Sequence, residues 1–92
     1  MLTSLQNPRV KEAVHLRDRR DRERTGLFLI EGYRELLRAS DGLVEVQRLF
    51  YCDDLFLGSQ EHALIEKWRA LGTEILPCSE SVFRKLSYRD RP

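Results

Sequence analysis

Seven basic side chains fall within one short stretch near the start of the chain: Arg9, Lys11, Arg17, Arg19, Arg20, Arg22 and Arg24. On a helix, Arg9, Arg17, Arg20 and Arg24 would lie on neighbouring turns and could track a phosphate backbone. Thirteen of the sixteen cations in the chain are arginine. Arginine presents a flat fork of donors that matches phosphate and stacks on bases, which lysine does less well. A high-GC genome also favours arginine codons. Asp18, Asp21 and Glu23 interleave with the basic residues, so residues 17–24 hold five arginines against three acids. A solvated helix with internal salt bridges is the competing reading of that pattern.

Other residues offer less chemistry. His15 and His62 are far apart in sequence and read as surface histidines. Cys52 and Cys78 both fall at the C-terminal ends of predicted strands, so a parallel sheet would place them at one edge; small buried hydrophobes are the simpler reading. Asp53-Asp54 also follows a strand end, where ligands often bind, but two acids there equally make a good turn. The chain has no GxGxxG, no GxxxxGK[ST] and no CxxC. No catalytic, metal-ligating or cofactor-binding residue is therefore predicted.

The elements that must position the basic residues fit one small domain spanning the 92 residues. The chain is 41% hydrophobic and 34% charged. That apolar content is too high for a disordered chain. Membrane-spanning and signal-peptide patterns are absent, so a soluble cytoplasmic domain is expected. The net charge of +1 hides a partition: residues 1–40 carry nine basic and six acidic residues, 41–83 three and eight, 84–92 four and one.

Asn7-Pro8 reads as a helix start, with Val10, Ala13, Val14 and Arg17 on one stripe. Residues 17–25 hold no apolar side chain and would form either a helical arm or a loop, ended by Gly26. Leu27–Ile30 is a short apolar run between Gly26 and Gly32 and reads as a buried strand. Tyr33, Leu36 and Leu37 show helical spacing, closed by Ser40-Asp41-Gly42. Val46–Cys52 reads as a second strand. Ser59 is a candidate cap for a helix with Leu64, Ile65, Trp68 and Leu71 on its apolar face, stopped by Gly72. Thr73–Leu76 reads as a third strand, and Ser79 as the cap of a last helix bearing Val82, Phe83 and Leu86. A helix followed by three strand–helix units argues for an α/β fold with a small, mainly parallel sheet. Residues 7–25 are then a basic helix and arm, 26–87 an α/β core, and 88–92 the start of a connection.

Ser4-Leu5-Gln6-Asn7-Pro8-Arg9-Val10-Lys11, Leu16-Arg17-Asp18-Arg19 and Thr25-Gly26-Leu27-Phe28-Leu29-Ile30-Glu31-Gly32 with Arg34 resemble the N-terminal substrate-binding domain of the SpoU (TrmH) RNA ribose 2′-O-methyltransferases. Ser79–Ser87 agrees with it. The resemblance implies a three-layer α/β/α sandwich like ribosomal protein L30e. It implies a module that grips structured ribosomal or transfer RNA and presents one ribose to a catalytic domain. That domain would have a knotted SPOUT fold, bind S-adenosylmethionine and form the dimer of the full enzyme. None of its motifs is found here, so this chain alone is expected to be a monomer without methyltransferase activity. Carried over by residue, the RNA surface comprises Asn7, Arg9, Lys11, Arg17, Arg19, Arg20, Glu31 and Arg34, beside Arg22 and Arg24 of the basic arm. Glu31 would hold Arg34 or a helix N-terminus, or meet a ribose or base edge.

Five engaged phosphates would give a slope of log K against log salt of roughly −3.5. Two other classes compete. A protein-docking module of L30e-like fold would use the acidic middle segment and show no particular RNA affinity. A small enzyme using Cys52 or the acidic loop would need a thiol of lowered pKa.

Overall fold

Asn7 starts the first helix because its side chain can do what no backbone group there can: Asn7 Oδ1 accepts the Arg9 N–H at 2.9 Å. Pro8 follows where its missing N–H costs nothing. The computed structural model describes residues 1–42, 44–56, 58 and 60–87. In chain order the elements are α1 (Pro8–His15), α2 (Arg19–Thr25), α3 (Tyr33–Ser40), β1 (Arg48–Tyr51), a 3₁₀ turn (Asp53–Leu55), α4 (Glu61–Ala70), β2 (Glu74–Pro77) and α5 (Glu80–Leu86). The expected connection at 88–92 and the cap at Ser59 lie outside the described residues.

β1 and β2 pair in parallel, with Arg48 opposite Glu74 and Tyr51 opposite Pro77. Successive residues of β1 enter different apolar clusters, as strand alternation requires. Leu49 joins Leu64, Ile65 and Trp68 of α4, with Leu36 and Ala39 of α3 and Ile75 packed beside them. Phe50 instead meets the cluster of Val10, Cys78 and Val82, bordered by Val14, Phe83 and Leu86. The stripe read on α1 and the apolar side read on α5 thus meet each other. Ser79 caps α5, its Oγ accepting the Val82 N–H. Gly72 stops the chain after α4 at φ +94°, as its position in the sequence suggests.

Four expectations change. Residues 17–25 neither extend α1 nor form a loop. Leu16–Asp18 turn the chain, and Asp18 caps a separate short helix by accepting the Arg20 N–H at 2.9 Å. Leu27–Ile30 is not a strand: among the described residues it has no ladder partner, and Phe28 is 62% exposed. Thr25 Oγ1 takes the Leu27 N–H at 3.2 Å, a local bond that competes with sheet pairing. The sheet of the described residues therefore has two strands, not three. Leu71 leaves the apolar face of α4 and is exposed, because the helix has ended before it.

Leu2, which no pattern flagged, bridges Cys78 in parallel on the outer edge of β2. Its N–H donates to the Pro77 carbonyl at 2.8 Å and its carbonyl accepts the Ser79 N–H at 2.9 Å. On the other side of the sheet, a cleft of about 720 Å³ separates Leu27–Ile30 from β1. Its walls come from both apolar clusters, with Ile65, Leu64, Phe50, Phe83 and Leu86 among them.

Candidate nucleic-acid interface

The predicted basic residues divide into those the fold uses and those it leaves to solvent. Arg17 is of the first kind. Its guanidinium donates to the carbonyls of Lys85 and Ser87, the latter at 2.7 Å, and so satisfies the C-terminal end of α5. Arg22 reaches back to the carbonyls of Leu16 at 2.9 Å and Arg17 at 2.7 Å, fixing the turn between α1 and α2.

Arg9 is held as well. It forks onto Glu74, with Nη2 at 2.8 Å from Oε2 and Nε at 3.1 Å from Oε1. Arg48 also bonds Glu74 (3.2 Å) and reaches Glu12 of α1 at 2.7 Å. The result is an alternating row, Arg9–Glu74–Arg48–Glu12, that ties α1 to the start of both strands. The hydrogen bond from Arg9 holds the Glu74 carboxyl below the usual carboxylate range. The same bond raises the Arg9 pKa further above its already high value. Sequence reasoning missed this row because its members lie up to 65 positions apart.

Arg19 pairs with Glu23 at 2.9 Å, and Arg24 with Asp21 at 3.0 Å, so the salt-laced helix competes successfully for these two. Both arginine side chains remain mostly exposed, and such pairs are weak enough to be exchanged for a phosphate. Lys11, Arg20 and Arg34 are exposed and carry no ion pair among the described residues. Arg34 is thus not held by Glu31, which is half-buried at the cleft. Asn7 is occupied as the cap of α1. Lys85 on α5 is a further exposed cation that the sequence pattern did not single out.

Of the other candidates, His15 is exposed on α1, one turn after Lys11. His62 lies 3.8 Å from Asp53 and meets the Phe56 ring edge-on. Cys52 and Cys78 are both buried, and burial pushes the Cys78 thiol up to about 11, opposite to what a nucleophile needs. Among the described residues no group of three or more His, Cys, Asp or Glu could hold a metal ion. No helix among them is long and apolar enough to cross a membrane.

Residues 7–92 match the family described as MRM3-like substrate binding domain. The chain belongs to this family. Its fold is also similar to two crystal structures of an rRNA methyltransferase from Sinorhizobium meliloti, one of them with AdoMet bound. Identity is 30% in both, with TM-scores of 0.82 and 0.81. The match covers 99% of this chain and 32% of each of those chains. The chain thus spans about a third of their length. No curated protein sequence gives a significant match. Membership fixes the general role of the module as substrate binding. Within that role, the geometry separates Arg17 and Arg22, which hold the fold, from Lys11, Arg20 and Arg34, which are exposed and carry no ion pair among the described residues.

Proposed function

We propose that this chain binds structured RNA and positions one ribose for 2′-O-methylation by an S-adenosylmethionine-dependent catalytic domain of SPOUT fold. Ribosomal RNA is the favoured substrate, because the similar solved structures are rRNA methyltransferases. Transfer RNA is the second candidate. The observation that carries the reading is the family match across residues 7–92. The cations on α1, α2 and α3 that carry no ion pair among the described residues supply the chemistry. Their charges would meet phosphates, and A-form segments would be read by shape and 2′-hydroxyls rather than by base sequence.

In this reading the module works in the cytoplasm, is a monomer by itself and forms a dimer through the catalytic domain. Its layers correspond to an L30e-like three-layer sandwich, supported by apolar clusters that take alternate residues of β1. No residue of this chain is assigned to S-adenosylmethionine. Methyl transfer is accordingly left to the catalytic domain.

Fluorescence anisotropy with a structured rRNA fragment, across a salt series and against duplex DNA, tests the reading. Engagement of Lys11, Arg20 and Arg34 alone gives a slope of log K against log salt of roughly −2. Exchange of the Arg19 and Arg24 pairs onto phosphate steepens it toward roughly −3.5. RNA binding no tighter than DNA binding at low salt overturns the proposal and favours a protein-docking module.

A further inference from the structure

We infer that Arg17 links the basic arm α2 to the point where the chain leaves α5, so that RNA held by the arm sets the direction of that exit. The inference rests on the proposed RNA-binding function. It adds a positioning role for a residue that the basic pattern groups with the RNA contacts.

The end of α5 is finished differently from the ends of the other helices. Gly26, Gly42 and Gly72 close α2, α3 and α4 by local bonds to the carbonyls of Arg22, Ala39 and Arg69. α1 turns through Leu16–Asp18, whose N–H groups bond the carbonyls of Ala13, Val14 and His15. α5 ends without a glycine, on Ser87 in an extended conformation at φ −71° and ψ 137°. Among the described residues, the carbonyls of Lys85 and Ser87 are taken by Arg17 Nη2, from 68 and 70 positions away. The basic residues in the last turn of α5 do not serve here. Arg84 is drawn back to Glu80 at 2.7 Å, and Lys85 is exposed. A distant cation thus does what a local residue does elsewhere, and in doing so it joins two elements.

The other end of the link is α2. It buries no residue, so polar bonds rather than apolar packing hold it. Arg22 makes two of them, to the carbonyls of Leu16 at 2.9 Å and Arg17 at 2.7 Å. Asp18, in the same turn, makes a third as the cap of α2. The turn that carries Arg17 therefore moves with α2. The bodies of α1 and α5 do not, because Val10 and Val82 lock them together in one buried cluster. Arg19, Arg20 and Arg24 are exposed on the same short helix. Phosphates that draw on these three displace α2, Arg22 carries the displacement to the turn, and Arg17 passes it to Ser87. Both joints are guanidinium–carbonyl bonds, which a charged donor makes short and directional. A catalytic domain following this module would then meet the bound ribose at a fixed offset, the condition for an oriented reaction.

Amide spectra of the full 92-residue chain, titrated with a structured rRNA fragment, test the link. The Lys85 and Ser87 amides should shift with those of Arg20 and Arg22 at one midpoint, while the Val82 amide stays in place. A merely structural Arg17 would leave Ser87 unmoved by RNA. Arg17→Ala should still bind the fragment and shift its α2 amides, but lose the shift at Ser87. If that variant does not fold, Arg22→Ala cuts the other joint while the α5 carbonyls keep their partner, and it should lose the Ser87 shift too. Shifts in α2 without one at Ser87 in the unaltered chain overturn the link and leave the RNA-binding function standing. A Ser87 shift that persists in either variant, or that vanishes in Lys85→Ala, means direct contact of RNA with α5 and overturns the link as well. Absence of any RNA binding overturns the function and the link together.

Discussion

Arg9 and Glu74 are joined by a two-pronged ion pair between the first turn of α1 and the first residue of β2. The pair makes a structural element out of a residue that the sequence pattern alone groups with the basic arm. Arg48 shares the same carboxylate and passes the row on to Glu12. Since all four side chains are partly solvated, the row orients α1 over the strands more than it stabilises the fold.

Glu74→Gln should therefore release Arg9 toward solvent. The salt slope of RNA binding is expected to steepen by about 0.7, one phosphate contact more. An unchanged slope would show that Arg9 stays out of the interface even when free. The same variant tests a pH dependence. The folded-state Glu74 pKa lies below its ordinary value of 4.5, so its contribution is present above that value and is lost as pH falls through the depressed pKa. Acid melting curves of Glu74→Gln should accordingly fall less steeply below pH 4.5 than those of the unaltered chain.

Among the described residues Lys11 and Arg20 make no ion pair, whereas Arg17 bonds two carbonyls at the end of α5. Lys11→Ala with Arg20→Ala should flatten the salt slope by about 1.4 and leave the melting temperature nearly unchanged. Arg17→Ala should do the reverse. It removes charge-assisted bonds and costs about 2 kcal/mol in urea unfolding, with little change in the slope. Equal stability loss in both variants would contradict this division of labour.

Much of this fold is legible in the sequence where the deciding bond is local. Asn7 and Ser79 cap the helices they precede, and Gly72 stops α4, because each acts within three residues of itself. The stripes of α1 and α5 are legible because helical spacing alone puts Val10 and Ala13, or Val82 and Leu86, on one side. What fails is long range. Nothing near Arg9 announces Glu74, and nothing near Arg17 announces the end of α5. The basic arm is legible as a cluster of charge, but its members' roles depend on carboxylates and carbonyls that only the fold brings close. Leu27–Ile30 fails for a related reason: an apolar run specifies burial, while pairing depends on whether β1 receives it.

Cys78 offers a test of the sheet edge by its chemistry. It is 2% exposed, and burial pushes its thiol up to about 11. Iodoacetamide at pH 8 should label it far more slowly in the folded chain than in urea. The sign of the linkage follows from the raised value: the protonated thiol suits the folded state, so its contribution is whole below the ordinary value of 9.0 and is lost as pH rises toward about 11. A Cys78→Ala variant should lose less of its melting temperature across that interval than the unaltered chain. Rapid labelling at pH 8 without denaturant would show that the Leu2–Cys78 edge opens readily.

Val82 is fully buried where α5 meets Val10 of α1 and Cys78 beyond β2. Val82→Ala removes two methyl groups from a seam that cannot collapse freely, since α1 is also tied down by the Arg9–Glu74 pair. The cost is expected to be about 2 kcal/mol, from lost burial and the cavity left behind. For a domain of this size that is a sizeable share of a total of about 5–14 kcal/mol. The urea midpoint should fall with the slope unchanged, because the folded structure and the surface exposed on unfolding stay the same. RNA affinity measured well below the midpoint should not move, since Val82 is fully buried and offers RNA no side chain. A loss under about 0.5 kcal/mol would mean that α5 does not pack against α1 as described. The anchoring role of Arg17, which depends on α5 being in place, would then fall with it.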